Sequence, residues 1–323
     1  KNHPLEILAF EKTKPYSSKY RNILKTIVRE HKIDVIHLHT SDSVTGYVVT
    51  DLFHQLKTPT LFARKGIRRK MGLLSKFKYN YKNIDRILCI SEYVKKHFGE
   101  DLYNRNRHKL VTVYNGVKIK ETKPEAAFQL RQKLNLDPGT FLIGDIANHT
   151  QAKDLHTLIK MVDKLVNVYQ EKNVHVVQIG KFSKLTPELK LQVEKLGLEP
   201  YFTFMGFVKN ASTFLAQFDV FVMTSEREGG PSSIVEAFYN KTPVISTKVG
   251  VVEEVIEDGI NGFSVDVGDA DGLAKKIIMF KNNPGLSEEF KEKSYTLFLN
   301  KFTAQQLGEN TLKVYQDLIL NKK

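Results

Sequence analysis

Tryptophan is absent from this 323-residue chain, and cysteine occurs once, at Cys89. A single cysteine excludes an intrachain disulfide framework and fits a reducing cytoplasm. No apolar run approaches the roughly 18 residues that a membrane-spanning helix needs, and no signal-peptide pattern is visible. No G-x-G-x-x-G follows an apolar strand, which argues against a dinucleotide oxidoreductase. Internal repeats of 20–50 residues and low-complexity tracts are also missing. Acidic residues are in deficit, 36 against 49 Lys and Arg, for a formal net charge of +13. Such an excess favours anionic partners: a membrane surface, a phosphorylated glycan or nucleic acid.

What is present reads as a soluble globular protein. The apolar share is 41% and the charged share 26%, both ordinary values, and the length suffices for two domains. Short apolar runs alternate with helix-period segments. Strands are expected over 33–39, 59–63, 86–91 and 109–115, with helices over 20–31, 44–55 and 92–98. Residues 5–10 read as a further strand. A charged segment, 118–138, holds Pro124 and Pro138 and reads as a hinge with a helix over 126–134. Beyond it, strands over 141–146, 174–179 and 202–207 alternate with helices over 154–169, 187–196 and 212–218. Two helices, 287–299 and 304–320, close the chain. Strands separated by helices make an α/β fold with parallel sheets.

Residues 221–262 organise the rest. An apolar strand over 218–223 leads into a polar turn, a helix that opens at Ser232-Ser233, and a strand that begins at Pro243-Val244. In such a βαβ unit the ligand crevice lies at the carboxyl end of the first strand. Glu228 and Glu236 frame that crevice, with Gly229, Gly230, Pro231, Ser232 and Ser233 between them. The glycines admit close backbone approach, and free N–H groups at the helix start make an anion cradle. Two carboxylates beside it are acceptors for sugar hydroxyls, the pattern a nucleotide-sugar presents.

Glu228 and Glu236, with Pro243-Val244 and the run Glu254-Val255-Ile256-Glu257-Asp258-Gly259-Ile260-Asn261-Gly262-Phe263, resemble the family 4 retaining glycosyltransferases, enzymes of the GT-B fold. The resemblance implies two Rossmann-like parallel-sheet domains facing across a cleft. Residues 1–120 would bind the acceptor, 121–305 the nucleotide-sugar, and 306–323 would cross back to the first domain. It implies that Glu228 contacts the donor sugar and Glu236 the ribose. It also places Lys153 on the donor diphosphate, with Asn148 standing where the family has Arg. The expected reaction is transfer of a sugar to an acceptor hydroxyl with retention at the anomeric carbon, without metal or other cofactor, in cell-surface glycan assembly. The family's first strand and Gly-rich loop are not found, so the N-terminal end is expected to be truncated.

The acceptor side is less marked. His39, at the end of an apolar strand, and Arg64-Lys65, where many family members have His, are the candidates. His37 shares a face with His39, but no third ligand completes a zinc set. From Arg64 to Lys82 eight cations, among them Arg68, Arg69, Lys76 and Lys78, interleave with Leu, Phe and Tyr and no acid. That mixture suits an anionic membrane surface or a phosphate-bearing acceptor. It suits single-stranded nucleic acid or a solvated face as well. The enzyme reading needs no nucleic acid and places the protein at the inner face of a membrane. Asp269-Ala270-Asp271 resembles a metal motif of another glycosyltransferase fold, but precedes a helix and reads as an N-cap. Two other functions stay open: a GT-B nucleotide-sugar epimerase and a non-catalytic anionic-glycan-binding protein.

Overall fold

The computed structural model describes residues 6–66, 71–119, 128–230 and 232–320. The chain separates into two compact units, one of Lys1–Cys89, Lys95–Thr112 and Leu312–Lys323, the other of Ile90–Val94 and Val113–Thr311.

The first unit is built on a four-stranded sheet in sequence order: β1 (Ile36–Leu38), β2 (Thr60–Arg64), β3 (Arg86–Cys89) and β4 (Leu110–Thr112). All pairings are parallel, with Ile36 beside Thr60 and Ile87 beside Leu110. Leu61, Ile84 and Ile87 are fully buried, and Val44 and Tyr47 of the Ser41–His54 helix are buried as well. One buried carboxylate pins three segments. Asp51 accepts from Leu56 N–H, Tyr81 O–H and Asn83 Nδ2 at 2.8, 2.7 and 2.6 Å. The last helix, Ala304–Leu320, gives this unit its residues from Leu312 onward, and there Tyr315 O–H lies 2.6 Å from His37 Nδ1. Residues 6–10 are not a strand. Ile7, Leu8 and Phe10 are exposed and pair with nothing among the described residues, so a short apolar run here lacks the neighbour that would make it one.

The second unit carries six parallel strands: β5 (Phe141–Ile146), β6 (Val174–Ile179), β7 (Phe202–Gly206), β8 (Val220–Met223), β9 (Val244–Thr247) and β10 (Phe263–Val265). Their spatial order is β10-β9-β8-β5-β6-β7. The order reverses at β5 and β8, the doubly wound arrangement whose switch point opens a crevice at the strands' carboxyl ends. Valine- and isoleucine-rich strands, buried on both faces as parallel strands are, separate two apolar clusters. One contains Leu158, Val176, Val222 and Phe280, the other Leu142, Phe214, Phe221 and Phe238.

Three helices differ from the sequence pattern, and the one expected over 126–134 is a single turn, Leu130–Lys133, with residues 126 and 127 outside the described residues. The one expected over 154–169 is α-helical over Leu155–Asp163 and widens to a π turn over Lys164–Val168. The segment expected as a helix over 212–218 is a tighter 3-10 turn, Ala211–Gln217. Ten to fifteen apolar-periodic residues specify helix, but i→i+3, i→i+4 and i→i+5 bonding differ too little in side-chain period to be told apart.

Candidate functional site

The loops after β5 and β8, the two strands at the switch point, meet and are tied by hydrogen bonds. Thr224, fully buried just beyond β8, donates from Oγ1 to the carbonyls of Lys153 (3.1 Å) and Asp154 (3.0 Å). Glu226 N–H donates to Ala152 O at 2.9 Å, and Thr247 Oγ1 to Ser225 O at 2.6 Å. Each tie gives a loop backbone group a partner.

Two glycines are demanded by this closeness. Gly250 has φ +58°, and a Cβ there would fall 1.6 Å from the Glu228 carbonyl oxygen. At Gly180 a Cβ would stand 1.8 Å from Ala147 O, in the loop that carries Asn148. Either side chain would push a site loop outward.

A cleft of about 270 Å³ results, lined by Asn148, Lys153, Glu228, Gly230, Ser232, Ser233 and Glu236 among others. Thus residues from three expected motifs converge. The helix Ser232–Tyr239 opens at this cleft, and its first-turn N–H groups have no intrahelical acceptor. Pro231 lies outside the described residues. Lys153 ends a 3-10 turn, Gln151–Lys153, and its ammonium is ion-paired to Glu228 Oε1, which Ser225 Oγ also approaches at 3.2 Å. The Lys153 side chain is 25% exposed and that of Glu228 13%, so both charges are sheltered yet reachable. Asn148 accepts from Lys181 N–H through Oδ1 at 2.9 Å.

Glu236 is half-buried, and its carboxylate has no hydrogen-bond or ion-pair partner among the described residues. Burial therefore raises its pKa. A carboxylate whose folded pKa lies above its unfolded value costs stability at high pH, and the cost is relieved as pH falls through the folded value. Replacing Glu236 by Gln should accordingly raise the melting temperature of the unliganded protein near neutral pH while weakening nucleotide binding. Calorimetric melting and titration of the same sample check both signs, and a lower melting temperature would contradict the first.

A third carboxylate carries no signal in the sequence. Asp145, on β5, is 1% exposed. Burial pushes its pKa up to about 7, while a hydrogen bond from Gln178 Nε2 and the charge of Lys153 act the other way. Gln178 also meets His149 Nε2 at 2.8 Å, and His149 Nδ1 meets Thr186 Oγ1 at 2.8 Å. Alternating apolar residues hid this layer, since one Asp in a strand carries no periodic signal.

On the first unit, His39 follows β1 and Arg64 ends β2, with Lys65 next. His37 and His39 have ring centroids 4.1 Å apart. Burial, then neighbouring His39 and Lys65, lower His37 to about 4; burial and then Lys65 lower His39 too. In the basic stretch Arg68 and Arg69 lie outside the described residues. Lys78 is not a free surface cation, because its Nζ donates to Ser41 O (3.1 Å), Ser41 Oγ (2.8 Å) and Thr45 Oγ1 (3.0 Å). Asp269 caps the Ala270–Asn282 helix through Gly272 N–H at 2.8 Å, and Asp271 is taken by Tyr169 and Lys275. Among the described residues no helix is long and apolar enough to cross a membrane.

The family model described as Glycosyl transferases group 1 matches residues 127–297, and that of Glycosyltransferase Family 4 matches 2–121. The chain is 21% identical over 315 residues to N-acetyl-alpha-D-glucosaminyl L-malate synthase of Bacillus anthracis, covering 96% of this chain and 81% of the relative. It is 28% identical over 184 residues to a lipopolysaccharide core biosynthesis glycosyltransferase of Rhizobium meliloti, covering 57% and 52%. The solved structure of Anabaena HepE in complex with UDP-glucose superposes with a TM-score of 0.81 at 19% identity, over 97% of this chain and 86% of that one. With two parallel-sheet α/β units, paired glutamates eight apart at the switch point and a family match over more than half its length, the chain belongs to the group 1 glycosyltransferases and has their GT-B fold.

Proposed function

We propose that the C-terminal unit binds a nucleotide-sugar in the 270 Å³ cleft and that the enzyme transfers its sugar, with retention and without metal, to an acceptor hydroxyl held by the N-terminal unit. The observation that carries this is the convergence of Lys153, Glu228, Glu236 and the start of the Ser232–Tyr239 helix on one crevice. In this reading the diphosphate draws Lys153 away from Glu228. Two or more phosphate charges outcompete one carboxylate for a sheltered ammonium. Glu228, released, accepts hydroxyls of the donor sugar, and Glu236 accepts those of the ribose. Gly229 and Gly230 let the backbone approach the ligand, while the amides of Ser232 and Ser233 face the diphosphate.

As the sugar–phosphate bond breaks, the leaving nucleoside diphosphate gains negative charge, which Lys153 and the helix amides stabilise directly. Asn148 offers a hydrogen bond where the family offers a cation, so more of that stabilisation falls on Lys153. Arg64, Lys65 and His39 are the acceptor-side groups. Relatives that act in lipopolysaccharide core assembly favour a cell-surface glycan as the product. Peripheral membrane attachment is part of the proposal: Leu73, Leu74 and Phe77 are exposed beside Lys76, giving an apolar foothold next to charge.

Thermal-shift screening against UDP, GDP and ADP tests the reading. One of the three should stabilise the protein markedly, since a ligand at 100 times its dissociation constant adds about 2.7 kcal/mol. No shift with any of them would overturn the donor assignment.

A further inference from the structure

At the carboxyl ends of β1 and β2 the first unit holds a pocket of about 290 Å³, lined by His39, Thr40, Ser41, Arg64, Lys65 and Tyr79 among others. We infer that this pocket binds an oxyanion, a phosphate or carboxylate, carried by the acceptor. The inference rests on the reading that this unit holds the acceptor.

The two charged side chains among the described lining residues, Arg64 and Lys65, are both cations. The Arg64 guanidinium lies over the Phe98 ring, 4.7 Å from its centroid, and 5.8 Å from that of Tyr79. Such stacking fixes a planar fork of donors that matches the two oxygens of a carboxylate or phosphate. Lys65 has no ion-pair or hydrogen-bond partner for its ammonium among the described residues. Lys78, which does not itself line the pocket, is held against Ser41 and Thr45 near the start of the Ser41–His54 helix. A cation beside the positive end of a helix is an unfavourable placement unless an anion joins it. The first-turn Asp42 is exposed and is not among the lining residues, and among the described residues none that lines the pocket is acidic. The capping box between Thr40 and Ser43 occupies the Ser43 N–H, so amides of Ser41 and Asp42 remain for a ligand.

Burial and then Lys65 lower the pKa of His39, which favours its neutral ring. A neutral ring adds no charge to the anion site and can accept a proton from a hydroxyl beside it. The pocket thus offers cations for an oxyanion and an acceptor for a neighbouring hydroxyl.

Amide-resolved NMR on the full chain, with the nucleoside diphosphate that stabilises it present to fill the donor site, tests this. Inorganic phosphate and glycerol 3-phosphate should give saturable shifts at Ser41, Asp42 and Gly66, and glycerol none. Lys65→Glu should weaken both phosphates at least tenfold, and Lys65→Arg should restore them. Displacement of glycerol 3-phosphate by phosphatidylglycerol vesicles would assign the oxyanion to a lipid headgroup; no displacement would assign it to a soluble one. Shifts that fail to saturate, or that persist unchanged in Lys65→Glu, would overturn the inference. Titration of UDP, GDP and ADP into the phosphate-free protein reports separately, through amides near Lys153 and Ser232, whether the donor reading stands.

Discussion

Lys153→Ala is expected to weaken nucleoside diphosphate binding by ten- to a hundredfold. A charge-assisted contact contributes about 1.5–3 kcal/mol, and each 1.4 kcal/mol is a factor of ten. The loss should sit at the upper end because Asn148 supplies no second cation on this loop. The same substitution strands Glu228, whose side chain is 13% exposed, with only Ser225 as its partner among the described residues. That costs about 1–3 kcal/mol of stability as well. The two effects separate in the double variant Lys153→Ala/Glu228→Gln. Removing the stranded charge should restore the melting temperature and leave binding weak. If binding recovers along with stability, Lys153 acts on folding and not on the ligand.

Glu228→Gln is expected to move binding and turnover in opposite directions. Without its carboxylate partner, Lys153 is available before the nucleotide arrives, so nucleoside diphosphate affinity should rise. Turnover of the donor identified by nucleotide screening should fall about a hundredfold, the scale on which losing a positioning contact acts. Initial rates and calorimetric titration together check the pair of signs. A variant that loses both affinity and turnover would place Glu228 on the nucleotide instead of the sugar.

Much of this site was legible in the sequence. Glu228, Glu236 and the glycines between them fall within nine residues, and the strand and helix flanking them have clear periods. The structure puts β8 at Val220–Met223 and the helix at Ser232–Tyr239, within two residues of the expected bounds. The Asp269 cap was legible for the same reason, being local. Contacts between distant segments were not. The Lys153–Glu228 pair spans 75 positions and exists because β5 lies beside β8, an adjacency set by sheet order. Gly250 supports the Glu228 loop from 22 positions away, and only its positive φ and the closeness of a carbonyl reveal it. Asp145 sits in a strand of apolar residues, where its neighbours Gln178 and Lys153 are brought in by β6 and by the loop after β5. On the first unit, cations were visible as a run, but the contacts of each described side chain were not. Lys78 turns inward to Ser41 and Thr45, and Arg64 stacks on Phe98, while Lys65 stays exposed.

A crystal structure of the protein with the stabilising nucleoside diphosphate tests the donor site most directly. The diphosphate should lie within hydrogen-bonding distance of Lys153 Nζ and the amides of Ser232 and Ser233, with the ribose hydroxyls on Glu236 and Glu228 released from Lys153. A nucleotide bound outside the cleft, or one bound there with Lys153 still paired to Glu228, would contradict it.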